Sequence, residues 1–260
     1  MNIDLNGKRV LVTGGNSGLG AAIAHAFAKE GANVAINYVT NPQAAQDLMT
    51  AMMASGSRAL AVQTDITDAQ AVNAMFGKLD EEWGGIDVLI NNAGIDGHAA
   101  LSWDCDPADW AKVIDINLKG AFLCAQQALK RMVKQKAGVI INTSSVHEII
   151  PWSGYSAYTA SKAGLSMMAK TLALEAAPHG VRVLCIAPGA IKTSINSSVW
   201  RDKVGYQDLL TKIPLGRVGV PEDVSRLVVV LASDVASYVT GTTIFIDGGM
   251  TDYPNFAHGG

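Results

Sequence analysis

The chain has 260 residues, 49% of them hydrophobic, enough to build one large buried core. Its net charge of −3 comes from interspersed signs, without the basic stripe that phosphate-backbone binding needs, so nucleic acid is not an expected partner. Three scattered cysteines (Cys105, Cys124, Cys185), no run of the ~18 apolar residues that span a membrane, and no signal-peptide pattern at Met1–Leu5 lead to the expectation of a soluble cytoplasmic protein, reduced and not membrane-associated.

The first predicted strand, 9–13, runs into Thr13-Gly14-Gly15-Asn16-Ser17-Gly18-Leu19-Gly20 and a helix over 18–29. Glycine lets the chain turn tightly and lets backbone amides approach a pyrophosphate, towards which the helix points its positive end. Such glycines could serve only a tight turn. A strand before and a helix after favour a dinucleotide cradle. The second strand, 33–38, ends at Asn37-Tyr38-Val39, where an acid that grips an NAD ribose is expected. None stands there, and no Arg or Lys is near to neutralise a 2′-phosphate. NAD and NADP both stay open, with a lean to NAD because an unpaired phosphate dianion would lose its main stabiliser.

Helix 44–54, strand 59–63, helix 69–83 and strand 88–91 continue the alternation, followed by helix 110–134 and strand 139–143. Helix 155–177, strand 181–186, helix 221–232 and strand 243–246 complete it. Strands that are apolar at nearly every residue suit a parallel sheet covered on both faces. The expected fold is therefore α/β: a single-domain, Rossmann-type, doubly wound sheet of about seven strands. The least regular stretch, 190–219, falls after the sixth strand at the ligand-binding edge and is expected to form a substrate lid.

Tyr158 and Lys162 stand four apart on one helix face. A free phenol is a poor base at neutrality. A neighbouring ammonium and an oxidised nicotinamide would favour the phenolate, and a lowering of about three units corresponds to ~4 kcal/mol. Ser144-Ser145 ends the fifth strand, where a hydroxyl can hold a substrate oxygen at the crevice. Taken singly these are an ordinary surface pair and a turn serine; together they suggest a proton-transfer site. His25, His98, His147, His179 and His258 lack ligand spacing, so no metal is expected.

These residues resemble the short-chain dehydrogenase/reductase family over essentially the whole chain. The resemblance rests on Thr13–Gly20, Asn91-Asn92-Ala93-Gly94, Asn117, Ser145, Tyr158-x-x-x-Lys162 and Pro188-Gly189. It implies an NAD(P)-dependent oxidoreductase with Tyr158 as general acid/base, Lys162 as its charged partner and ribose ligand, Ser145 orienting the substrate oxygen, and Asn117 holding a relay water. It also implies a dinucleotide site built from Gly14, Asn16, Ser17, Gly18, Leu19, Gly20, Asn37 and Tyr38, with Asp65 and Ile66 at the adenine. Asn91, Ala93, Gly94, Tyr158, Lys162, Pro188, Gly189, Ile191 and Thr193 complete that set.

A narrower resemblance is to bacterial glucose 1-dehydrogenases, carried by Ser144–Glu148 with Pro151-Trp152, by Gly189–Asn196, and by the tail from Asp247. It implies oxidation of D-glucose at C1 to the lactone, with Asp96, His147, Lys192 and Asn196 beside Ser145 as sugar-binding candidates, and a homotetramer. Val39 stands where those enzymes carry Arg, Asp96 where they carry Glu, and the loop 97–109 shares little. A reductase of another ketone, polyol or 3-oxoacyl thioester is the second expectation, and a nucleotide-binding regulator without turnover is the alternative of a different class.

Overall fold

The computed structural model describes residues 3–193 and 202–252. The strands are β1 (Arg9–Val12), β2 (Asn33–Tyr38), β3 (Ala59–Gln63), β4 (Val88–Asn91), β5 (Gly138–Thr143), β6 (Val181–Pro188) and β7 (Thr243–Ile246). All neighbours pair in parallel, in the order β3-β2-β1-β4-β5-β6-β7. The chain reverses its direction of travel across the sheet between β1 and β4, which leaves a crevice at the carboxyl ends of the strands there.

Strand side chains alternate between two cores. Val10, Val12, Val34 and Ile36 point to one face and pack under α1 (Gly18–Lys29), α2 (Pro42–Ala54) and a late helix, Pro221–Ala232. Leu11, Ala35, Leu89 and Ile140 point to the other and meet α3 (Ala69–Trp83), α5 (Ala121–Gln135) and α6 (Ser156–Ala176). Both faces are covered, so each strand can be apolar throughout.

Two segments differ from expectation. The helix predicted over 110–134 is three pieces: α4 (Pro107–Ile114), a π-helical turn Asp115–Gly120, and α5. Asp106 starts α4 early by accepting from the Ala108 N–H, with Pro107 behind it. The wide turn holds Asn117, fully buried, in the middle of the site side of the fold; such turns concentrate at functional sites. The stretch 190–219 is not irregular throughout, for it contains α7 (Lys203–Thr211), started by Asp202 accepting from the Val204 N–H. The late helix Pro221–Ala232 is α8; Asp223 braces its start by accepting from the Val220 N–H at 2.9 Å.

Candidate active site

A cleft of about 880 Å3 lies across the carboxyl ends of the first four strands. Gly14 has φ +60°, and a Cβ there would lie 3.0 Å from the Ala93 Cα. A Cβ on Gly20 would collide with the Gly14 carbonyl oxygen and come within 2.5 Å of the Asn92 amide nitrogen. Only glycine fits either position. The loop is stapled to its neighbour: Thr13 Oγ1 accepts from the Asn92 and Ala93 N–H groups at 2.9 and 3.1 Å. Ser17, at the N-cap of α1, makes no side-chain cap, so the first amides of a twelve-residue helix open into the cleft. Close-approach glycines and uncapped amides fit the pyrophosphate of a dinucleotide.

Of the residues put forward for the dinucleotide, Gly14, Asn16, Ser17, Leu19, Gly20, Asn37, Tyr38, Asp65, Ile66, Ala93, Gly94 and Thr193 line this cleft. Gly18 does not; its φ of +51° serves the entry into α1. Asn91 does not either. Its amide donates to the Ala121 carbonyl (3.0 Å) and to Asn142 Oδ1 (2.9 Å), tying β4 to α5 and β5 within the core. Asn37 is a brace as well as a wall, buried and donating to the Thr64 carbonyl at 2.8 Å. At the end of β2 the cleft is formed by Tyr38, Val39 and Thr40, with Asn16 donating to the Thr40 carbonyl at 2.7 Å. Asn92 lines it too, from within the Asn-Asn-Ala-Gly run, and Thr67, Lys112 and Asp115 line it without belonging to a motif.

A second cavity, of about 560 Å3, adjoins the first through Leu19, Asn92, Gly94, Ile95 and Thr193. Ser145, Tyr158, Lys162, Asp96, His147, Pro188, Gly189 and Ile191 meet there. Lys192 lines neither cavity; it is exposed, and its N–H donates to the Gly219 carbonyl. Asn196 lies outside the described residues.

The Lys162 side chain is buried and its Nζ donates to the Thr143 carbonyl at 2.7 Å. Burial pushes its pKa down to about 8. Nζ is 5.6 Å from the centre of the Tyr158 ring. The expectation that this ammonium lowers the phenol's pKa is not met by the protein alone. Burial pushes Tyr158 above its ordinary value and the Asp96 carboxylate adds to the rise, with only a hydrogen bond to Ser145 acting in the opposite sense. Desolvation outweighs a cation held back on a backbone carbonyl.

Asn117 is placed by its side chain. Its Oδ1 accepts from the Ile95 N–H at 2.8 Å, while Nδ2 donates to the Ile95 carbonyl (2.7 Å) and to Ser161 Oγ (3.0 Å). It thus clamps the loop after β4 to α6. A Cβ on Gly94 would lie 3.1 Å from Asn117 Oδ1 and 3.6 Å from Lys162 Nζ, so the glycine leaves room for both.

The wall opposite is aromatic. The His147 and Trp152 rings stack at 4.5 Å, and Trp152 and Tyr155 at 3.9 Å. Both His147 and Trp152 meet the Tyr158 ring edge-on, at 6.2 and 5.8 Å. Burial lowers the His147 pKa. Its Nδ1 lies 3.0 Å from the Ile150 carbonyl, which can only accept, so the neutral ring carries its proton there and leaves Nε2 as an acceptor. Tyr155 and Leu209 line this cavity without belonging to any motif, and Trp152 and Met250 line it from segments that carry the narrower resemblance.

Among the described residues no helix is long and apolar enough to cross a membrane. The family profile described as Enoyl-(Acyl carrier protein) reductase matches residues 14–251. The chain is 48% identical over 257 residues to 3beta-hydroxysteroid dehydrogenase 1 of Eggerthella lenta, covering 98% of each. It is 41% identical to Glucose 1-dehydrogenase 2 of Bacillus subtilis, covering 97% of this chain and 98% of that one. A solved structure of a putative short-chain alcohol dehydrogenase from Sinorhizobium meliloti superposes with a TM-score of 0.92 at 37% identity, over 97% of this chain and 99% of that one. With this sheet order, this cradle and these relatives, the chain belongs to the short-chain dehydrogenase/reductase family of NAD(P)-dependent oxidoreductases.

Proposed function

We propose that the enzyme moves hydride between a nicotinamide dinucleotide and a secondary alcohol carried on a ring, or its ketone, with Tyr158 as the acid/base. The observation that carries this is the meeting of Ser145, Tyr158 and Lys162 in a cavity that opens into the glycine cradle. A bound dinucleotide supplies the hydride acceptor or donor and, when oxidised, a positive charge. In the oxidative direction Tyr158 Oη takes the hydroxyl proton of the alcohol. Ser145 Oγ holds the substrate oxygen, and the Lys162 ammonium stabilises the phenolate that accepts the proton. Asn117 keeps the loop after β4 against α6, so the two cavities stay joined.

The stacked His147–Trp152–Tyr155 wall, with Ile191, Leu209 and Met250, favours a flat, apolar ring body behind the reacting carbon. A relative named as a 3beta-hydroxysteroid dehydrogenase is in keeping with such an alcohol. The second reading is oxidation of D-glucose at C1 to the lactone. It is favoured by the Asp96 carboxylate and the His147 Nε2 acceptor in the same cavity, and by the relative named as a glucose 1-dehydrogenase. With neither cation nor carboxylate at Val39, NAD is the preferred dinucleotide and NADP is tolerated. Within the segment 190–219, of which residues 194–201 lie outside the described ones, α7 lines the cavity through Leu209 and acts as a lid, and the exposed Phe122, Met167 and Leu174 on α5 and α6 serve a homotetramer.

The test is formation of NADH or NADPH with a panel of 3-hydroxysteroids, cyclohexanols and glucose, and its consumption with acetoacetyl thioesters. Turnover is expected with ring alcohols. Turnover confined to the thioester would overturn the ring-alcohol reading, and dinucleotide binding without turnover of any member would point to a regulator.

A further inference from the structure

Glu148 closes the short turn Val146–Glu148 that follows Ser145, its N–H donating to the Ser145 carbonyl at 3.0 Å. That turn packs directly on α6, the helix that carries Lys162. The Glu148 side chain is half-buried, and its Oε2 is shut off from solvent with no hydrogen-bond partner among the described residues. A buried carboxylate oxygen without a donor is costly unless a nearby cation compensates it. Lys162, fully enclosed and donating to the Thr143 carbonyl, is a cation on which the Glu148 charge bears at longer range than an ion pair.

The groups that bear on Lys162 come from three elements. From α6 itself comes Tyr158, whose ring centre is 5.6 Å from Nζ, and from β6 comes Cys185. The turn contributes Glu148, with the neutral His147 beside it. Asp96, from the loop after β4, bears on Tyr158. Cys185 and Glu148 both act to keep Lys162 charged. Burial pushes the Cys185 thiol up to about 12, so it is uncharged near neutrality. Glu148 is the anion that remains.

We propose that Glu148 is a positioning residue for the reaction: its buried carboxylate is the counter-ion that keeps the Lys162 ammonium charged behind Tyr158. Without it a lysine so enclosed would shed its proton at still lower pH, and its hold on a ribose would weaken together with its support of the phenolate. The inference rests on the role given to Lys162 under the proposed function and on the ribose contact that the family resemblance implies for it.

The experiment compares wild type with Glu148→Gln, which keeps the shape and removes the charge. The affinity for NADH, with NADPH in parallel, is read by quenching of tryptophan fluorescence from about pH 6 to about pH 10, and the kcat/KM for alcohol oxidation over the same range. The alkaline loss of both is expected to begin at least about half a pH unit lower in Glu148→Gln, a ~3-fold change in the Lys162 protonation equilibrium. Glu148→Asp, which keeps the charge on a shorter stem, should fall between the two and serves if the Gln variant folds poorly. In a Lys162→Met background, Glu148→Gln should add no further shift. An unmoved alkaline limb in the Gln variant, or the same shift without Lys162, overturns the proposal. Because binding is measured with dinucleotide alone, its outcome is separate from whether any tested alcohol turns over.

Discussion

Tyr158 and Lys162 are one helical turn apart, yet their charges do not meet directly: Nζ faces the Thr143 carbonyl, and the phenol is held above its ordinary pKa by burial. The sign of the pH dependence follows. A phenol with a raised pKa is protonated at neutrality, so it can donate to a nascent alkoxide but takes a proton poorly. Ketone reduction should therefore be fastest near neutrality and decline as the solution turns alkaline, while alcohol oxidation rises above neutrality up to the alkaline limb set by loss of the Lys162 proton. Separate kcat/KM profiles in the two directions test this, and an oxidation rate that peaks on the acid side would contradict it. At the far end of the cleft, Val39 offers neither charge nor hydrogen bond to a ribose substituent. Val39→Arg should raise the NADP-to-NAD ratio of kcat/KM by about tenfold, the worth of one charge-assisted hydrogen bond to a phosphate. An unchanged ratio would place the discrimination elsewhere in the cleft.

At the scale of elements, the strand–glycine loop–helix start is the part most exposed to a single methyl group. Gly20→Ala would drive a Cβ into the Gly14 carbonyl and the Asn92 side chain, and should weaken dinucleotide binding by at least about tenfold with little loss of the sheet. Retained affinity, measured by titration, would remove the loop from the binding account. The strands and α1, α3 and α8 were legible because their signals are local: apolar runs, glycine at a turn, proline and acids at a helix start. The π-helical turn was not. Asp115–Gly120 continues a helical pattern in sequence, and its widening goes with contacts from Asn117 to Ile95 and Ser161, 22 and 44 residues away. Hydrophobic periodicity carries no record of such partners. In the same way the motif spacing brought Asn91 forward as a cofactor residue, whereas alternation along β4 turns its side chain into the core and leaves Asn92 at the cleft. Lys192 was singled out for its chemistry, and the chain there turns it to solvent.

Across the whole molecule, the parallel sheet and its order place every strand's carboxyl end on one side, which is why residues as distant as Gly14, Ser145 and Ile191 share adjoining cavities. The fold was readable from the alternation of strand and helix. The aromatic wall was not, since stacking of His147, Trp152 and Tyr155 depends on how the turn after β5 folds against α6. On the outer face, Met167 and Leu174 are exposed on α6. The double substitution Met167→Glu, Leu174→Glu should reduce the proposed tetramer to smaller species in gel filtration with light scattering; an unchanged mass would exclude this face from any assembly. The central claim remains the passage of a proton through Tyr158, and one comparison tests it most directly. Tyr158→Phe and wild type are assayed for reduced dinucleotide formed from a saturating ring alcohol, beside the dinucleotide affinity of each. The account predicts near-equal affinity and a rate lower by about 10²- to 10⁴-fold in the variant. A Phe variant that turns over at the wild-type rate would contradict it.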